Sequence, residues 1–363
     1  MEPPVSNKIY KIALIPGDGI GHEVVPAAAQ VLEKVGGKFG FTFDWTEFDW
    51  SCERYTKMGA MMPDDGPEQL AAFDGIFLGA VGFPGVADHI SLWGLLIPIR
   101  RAFDQYANVR PLKLFEGVTS PLAGRGAGDI DMVIVRENAE GEYSRMGGRI
   151  YEGTEREMVI QEAVFTRHGV DRILRHAFEI ATQRAAARGR PGKVTSATKS
   201  NGIIHTMPFW DERFERMAGE YPDIETDQFH IDILSAHFVQ HPDWFDVVVG
   251  SNLFGDILSD LGAAVVGGMG LAPAANLNPA GAHPSMFEPV HGSAPDIAGK
   301  AIANPIAQIW TGAMMLEHLG EAEAADAIEA AIATVLADGS VRTPDLGGQA
   351  ETGTLAQAIA DAL

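Results

Sequence analysis

The sequence predicts an α/β fold built in layers, and three observations carry that reading. Short apolar runs of strand type alternate with amphipathic helical stretches almost from end to end. Some of these runs, Lys8–Ile15 and Asp74–Leu78 among them, read as buried strands. The length, 363 residues, is enough for two domains or one large α/β unit with an ample core.

Taken in order, Lys8–Ile15 reads as a strand and Glu23–Val35 as a helix with apolar residues at helical spacing. Phe41–Phe48 alternates apolar and polar residues like a strand, and Asp74–Leu78 is a further short one. Leu92–Phe103 is expected to be helical despite Pro98, with Asn108–Phe115 and Asp131–Val135 returning to strand. Gly141–Gly153 is rich in glycine and polar residues, with Tyr143 and Tyr151 interspersed. A long loop or projecting hairpin is expected there. Met158–Phe165 reads as a strand, and Asp171–Arg188 as a helix ended by Gly189 and Pro191. Strand-to-helix units then follow at Lys193–Ala197 into Met207–Ala218, at Glu225–Ile231, and at Asp246–Gly250 into Ile257–Ala264. The tail from Ile306 is alanine-rich and helical.

Composition narrows the partners. There are 27 Lys and Arg against 49 Asp and Glu, a net charge of −22, which argues against nucleic acid or an anionic membrane. The single cysteine, Cys52, cannot form an intrachain disulfide, which fits a reducing cytoplasm, and a small buried hydrophobe is its simplest role. The apolar stretch Ile12–Pro16 is too short for a signal core, and Ala263–Ala275 is broken by glycines and Pro273. A soluble cytoplasmic protein is expected.

Several motifs carry chemistry. Pro16-Gly17-Asp18-Gly19-Ile20-Gly21 follows the first strand, but its spacing is G-x-G-x-G, not the dinucleotide-binding G-x-G-x-x-G. In Asn252-Leu253-Phe254-Gly255-Asp256-Ile257-Leu258-Ser259-Asp260 the two aspartates are four apart at a helix start. Like charges at that spacing repel, an effect that a hard divalent cation such as Mg²⁺ or Mn²⁺ reverses. Arg100, Arg110 and Arg136 supply the fork geometry suited to carboxylates. Lys199 ends a strand, where a neighbouring cation would make it a base, and Asp232 sits similarly. The stretch Glu288–Asp296, continuing to Asn304, reads as a binding loop of small residues with an acidic group near a ribose.

Together the Leu14–Gly21, Asn108–Pro111, Asn252–Asp260 and Glu288–Asp296 motifs resemble the β-decarboxylating dehydrogenases, over nearly the whole chain from Lys8. That family includes isopropylmalate, isocitrate, homoisocitrate and tartrate/D-malate dehydrogenases. The stretches Asp49–Cys52, His89–Gly94 and Ala197–Gly202 look most like the tartrate/D-malate members. The resemblance implies an isopropylmalate dehydrogenase-like two-domain layered fold, not a true Rossmann fold. Residues 1–106 plus 260–363 would form the first domain, and 107–259 the second, with the dimer interface and a clasping arm.

By residue-wise matching, the resemblance implies that Arg100, Arg110 and Arg136 hold the substrate carboxylates. Trp93 would stand at the edge of the pocket for the substituent on C3, and Gly94 and Leu96 would occupy the isocitrate enzymes' polar positions. Tyr143 would be the general acid, Lys199 the base, and Asp232, Asp256 and Asp260 the metal carboxylates for Mn²⁺ or Mg²⁺. The same resemblance leaves room for a monovalent cation. Lysine and the first aspartate would enter from the partner subunit of a homodimer. Glu288, His291, Gly292, Ser293, Ala294, Asp296 and Asn304 would hold NAD. The expected reaction is oxidative decarboxylation of a C4 2-hydroxy dicarboxylic acid, D-malate to pyruvate and CO₂, with tartrate oxidised as well. The alternatives are a 3-isopropylmalate dehydrogenase, a catalytically silent regulatory subunit and a metal-dependent lyase without redox chemistry.

Overall fold

A computed structural model describes residues 8–363. Twelve strands are numbered in chain order: β1 Lys8–Gly17, β2 Phe41–Glu47, β3 Gly75–Ala80, β4 Ala107–Lys113, β5 Asp131–Glu137 and β6 Gly147–Ile150. Then come β7 Met158–Gln161, β8 Lys193–Thr198, β9 Glu225–His230, β10 Val247–Gly250, β11 Pro273–Leu277 and β12 Ser285–Pro289. The helices begin with α1 Gly21–Phe39, α2 Cys52–Met58, α3 Gly66–Leu70, α4 Asp88–Ser91, α5 Ile97–Ala102 and α6 Arg167–Arg188. They end with α7 Thr206–Ala218, α8 Ile231–Gln240, α9 Asn252–Val265, α10 Ile306–His318, α11 Ala322–Asp338 and α12 Thr352–Ala362. The α/β layered fold expected from the sequence is the fold found.

The chain divides into two compact units. Among the described residues the first holds 8–105, 110–130 and 263–363, and the second 106–109 and 131–262. These limits differ from the expected 107–259 segment chiefly at 110–130, which packs with the first unit. There Phe115 joins the core and meets the Trp310 ring edge-on at 5.2 Å.

In the first unit the strand order is β2-β1-β3-β12-β11, parallel except for the antiparallel pair β11–β12. Strand β1 shows why its sequence is apolar without a break. Ile12 and Leu14 enter one core with α1, α10, α11 and α12, while Ala13 and Ile15 enter another with Leu95, Ile99 and Met286. Both faces are covered. Strands β11 and β12 were not foreseen; the first lies in the weakly polar run that the sequence left unassigned.

The helical stretch expected at Leu92–Phe103 begins earlier, at α4, and passes into α5 through a single π turn over Leu92–Leu96. There the Ile97 N–H donates to the Leu92 carbonyl five residues back. Pro98, which lacks an N–H, follows directly.

The second unit has the parallel order β5-β10-β8-β9. Gly141–Gly153 leads into a two-stranded antiparallel hairpin, β6 with β7, whose residues are all exposed. A projecting hairpin was one of the two expected forms. Strand β7 stops at Gln161, short of the expected Phe165, and α9 starts at Asn252, five residues before the expected Ile257.

Candidate active site

Each unit gathers part of the expected site. In the second unit Arg136 lies at the end of β5, only 2% exposed. Each guanidinium nitrogen makes a hydrogen bond: Nη1 donates to Asp256 Oδ1 at 2.6 Å, Nε to the Asn252 carbonyl at 2.9 Å, and Nη2 to Asn252 Oδ1 at 2.7 Å. The Tyr143 hydroxyl donates to the other oxygen, Asp256 Oδ2, at 3.0 Å, and the Tyr143 ring lies 5.4 Å from the Arg136 guanidinium. Gly255 makes this approach possible. A Cβ there would stand 2.6 Å from Arg136 Cβ, so any larger residue would push α9 away from the arginine.

Helix α9 needs partners for its first N–H groups. Glu142 supplies one of them, accepting from the Leu253 N–H at 3.0 Å, and its other oxygen accepts from the Ser251 hydroxyl at 2.8 Å. That residue was missed in the sequence, where nothing local links it to α9. Asp260 lies one turn beyond Asp256 on the same helix and is exposed.

Lys199, directly after β8, donates to Asp232 Oδ1 at 2.7 Å, and Asp232 sits in the first turn of α8. The Lys199 hydrogen bond holds the Asp232 carboxyl below its ordinary range. Among the described residues no three His, Cys, Asp or Glu side chains form a group that could hold a metal ion. The expected metal carboxylates therefore form two groups within one chain: Asp256 with Asp260, and Asp232 with Lys199.

In the first unit Arg100 is in the last turn of α5, and its Nη2 donates to Glu288 Oε1 at 2.6 Å. Glu288 was expected in the cofactor loop. It sits instead inside β12, where Asn276 of β11 also donates to Oε1, at 2.7 Å. Arg100 Nε is buried and has no hydrogen-bond partner. Arg110 in β4 is buried as well. Trp93 lies in the π turn, half-buried, with the Arg101 guanidinium 4.9 Å from its ring centroid, and Leu96 packs against the core.

The loop after β12 is held by the Gly-Asp-Gly turn after β1. The Ile20 N–H donates to the Ser293 carbonyl at 2.9 Å, and Gly19, at φ 55°, lies so close that a Cβ would collide with that oxygen. Asp18, buried, accepts from the Cys52 and Gly82 N–H groups at 3.0 Å each. Burial and Asp18 together push the Cys52 thiol up to about 12, so Cys52 is an inert core residue. His291 Nδ1 donates to the Gly292 carbonyl at 3.0 Å, which leaves Nε2 as an acceptor, and that atom is buried without a partner. Burial lowers the His291 pKa, favouring the neutral ring. Gly292 and Asp296 are exposed, and Ala294 adopts φ 40°. Asn304 caps α10 by accepting the Ile306 N–H at 3.0 Å, while its Nδ2 donates to Asp345.

A carboxylate shared by an arginine and a tyrosine, with a second carboxylate one turn along, suits an anionic substrate bound through a cation. The family model for isocitrate/isopropylmalate dehydrogenase matches residues 11–362. The chain belongs to that family. It is 59% identical to the D-malate dehydrogenase [decarboxylating] of Escherichia coli (strain K12) over 360 residues, 97% of this chain and 98% of the relative. It is 57% identical to the tartrate dehydrogenase/decarboxylase of Pseudomonas putida over 362 residues, 98% of each chain. Among solved structures, isocitrate dehydrogenase from Methylococcus capsulatus aligns with a TM-score of 0.85 at 40% identity, covering 97% of this chain and 99% of its own. In this chain the turn after β1, which lacks the dinucleotide fingerprint, docks onto the loop after β12 through Ser293. Among the described residues no helix is long and apolar enough to cross a membrane.

Proposed function

We propose that this protein oxidatively decarboxylates D-malate to pyruvate and CO₂, oxidises tartrate as well, and requires NAD⁺ and Mn²⁺ or Mg²⁺. It is an enzyme of the decarboxylating dehydrogenase type. The observation that carries the proposal is Asp256, whose two oxygens are taken by Arg136 and Tyr143. The names of the relatives that match along the whole chain support the substrate.

Asp256 and Asp260 fit a hard divalent cation in ligand type and in helical spacing. They are one carboxylate short within a single chain, and Asp232 of a second copy would complete the set. The exposed apolar side chains support such a copy: Ile150, Met158, Val159 and Ile160 on the hairpin, Ile233 on α8 and Ile257 on α9. The buried, unpartnered His291 Nε2 and the small residues beside it fit an adenosine group. Asp296 would favour NAD⁺ over NADP⁺ by repelling a 2′-phosphate.

In this reading Arg100, Arg110 and Arg136 hold the substrate carboxylates. Lys199, supplied across the dimer, takes the proton from the C2 hydroxyl, and Tyr143 protonates C3 after CO₂ leaves. A cation held by these carboxylates would supply Lewis-acid stabilisation of negative charge, and a bound nicotinamide would supply the hydride acceptor. Trp93 and Leu96 offer nothing polar to a third carboxylate, whose unpaired burial would cost several kcal/mol. A cytoplasmic setting fits the lone reduced cysteine.

The test is a panel of D-malate, tartrate, 3-isopropylmalate and isocitrate with Mn²⁺ and either NAD⁺ or NADP⁺, read by absorbance of the reduced cofactor. D-malate with NAD⁺ should give the highest kcat/KM. A higher value for 3-isopropylmalate than for D-malate overturns the substrate assignment, and comparable values for the two cofactors overturn the cofactor assignment.

A further inference from the structure

We propose that Glu288 is a positioning residue for Arg100, setting the direction in which that guanidinium presents itself to a substrate carboxylate. This inference rests on the substrate reading above. The sequence points elsewhere, because Glu288 opens a stretch that reads as a cofactor loop, yet its carboxylate faces an arginine 188 residues away.

Three observations carry it. First, the Arg100–Glu288 pair is short, 2.6 Å, and both side chains are about nine-tenths buried, so solvent does not loosen it. Second, the carboxylate is itself held. Asn276, fully buried on the antiparallel neighbour β11 and two residues along from Ala274, the register partner of Glu288, donates to the same Oε1 at 2.7 Å. Third, Arg100 is not saturated: Nε is buried and makes no hydrogen bond. A buried guanidinium with an unused donor costs free energy unless a ligand takes it up. One anchored oxygen fixes the plane of the fork, and the donors not given to Glu288 remain for an incoming carboxylate.

Two strands that the sequence did not announce, β11 and β12, thus bring Glu288 and Asn276 together behind an arginine on α5. The chain of effect runs from Asn276 through Glu288 to Arg100. It predicts that losing either of the first two residues weakens binding of the acid and leaves NAD⁺ binding alone.

The experiment compares wild type, Glu288→Gln, Asn276→Ala and Arg100→Lys in steady-state kinetics with D-malate, NAD⁺ and Mn²⁺, together with a crystal structure of Glu288→Gln. The amide keeps the shape and removes the charge. KM for D-malate should rise about tenfold in Glu288→Gln, the equivalent of about 1.4 kcal/mol, and by a smaller factor in Asn276→Ala. KM for NAD⁺ should stay within about twofold on the same scale. In the crystal structure the Arg100 side chain should leave its wild-type rotamer. An unmoved Arg100 overturns the proposal, as does a rise confined to KM for NAD⁺, which would mean that Glu288 touches the cofactor. If wild type does not turn over D-malate, the substrate reading falls, and the Arg100 rotamer in Glu288→Gln still decides the positioning role.

Discussion

Arg100 and Arg136 were expected to do one job, and the structure gives each the same bond: 2.6 Å to a carboxylate oxygen within its own unit. The carboxylates differ. Glu288 is 10% exposed and pinned by Asn276, whereas Asp256 is 31% exposed and its second oxygen meets a tyrosine hydroxyl. In the first pair the carboxylate is closed off and serves only to hold its arginine. The second presents a carboxylate that water reaches and that a cation can share. Ion-pair length therefore says little about role; burial and the carboxylate's remaining partners decide it.

The largest effect should come from the open pair. Asp256→Asn should lower D-malate turnover by at least roughly a thousandfold, the several kcal/mol that a catalytic cation contributes. A chelator should abolish wild-type turnover, and Mn²⁺ or Mg²⁺ should restore it. Stability should follow the opposite ranking. Glu288→Ala leaves Arg100 buried and unpaired, at a cost of about 3–5 kcal/mol. Asp256→Ala leaves Arg136 its two bonds to Asn252 and should cost about 1 kcal/mol or less. Urea unfolding of the two variants measures both. Equal losses would dissolve the comparison, and full activity in excess chelator would remove the metal from the reaction.

The open half should also be the half that a second subunit completes. Lys199→Ala and Tyr143→Phe should each be inactive alone. Mixed and allowed to exchange, they should recover about a quarter of wild-type turnover, since half of the dimers are hybrids with one intact site of two. Native mass spectrometry verifies the exchange. Proven hybrids without activity would show that Lys199 serves its own chain.

How much of this was legible depends on sequence distance. The Asp256–Asp260 pair shows in the sequence because helical spacing is local, and β1 shows because strands covered on both faces are apolar without interruption. Strands β11 and β12 do not. They begin or end at Pro273 and Pro289, are only five residues each, and become strands by pairing with each other and, for β12, with β3. Nothing local in the sequence therefore marks Glu288 as a strand residue. The Arg136–Asp256 bond joins residues 120 apart, and no periodicity announces it. The π turn is equally silent, because an i→i−5 bond leaves the apolar spacing almost helical.

A third carboxylate shows what happens without an arginine clamp. Glu137, next to Arg136 on β5, is 1% exposed and accepts only backbone N–H groups, from Ala139 and Glu140. Burial pushes its carboxyl up to about 7 from 4.5. Between those values the folded chain keeps a proton that the unfolded chain releases, so stability falls as pH rises. The fall is about 3 kcal/mol in all, complete once pH passes the folded value. Thermal melts of wild type and Glu137→Gln from pH 5 to 8 should show a flatter slope for the variant. Parallel slopes would mean that Glu137 titrates normally.

The smallest effect tests whether the clamp works independently of its neighbour in the π turn. Trp93 and Arg101 stack on each other, while Arg100 is tied to Glu288 instead. Trp93→Ala removes bulk where a C3 substituent would lie, so kcat/KM for 3-alkylmalates should rise about tenfold relative to D-malate, the usual worth of a recut apolar pocket. KM for D-malate itself should hardly change, because Glu288 still directs Arg100. Losing the stacked cation should lower stability by only about 0.5–1 kcal/mol. If D-malate binding weakens as much as in Glu288→Gln, Arg100 takes its orientation from the whole helical turn, and the closed pair is less closed than its geometry implies. If selectivity stays fixed, the Trp93 ring faces away from the acid, and the C3 pocket is bounded elsewhere.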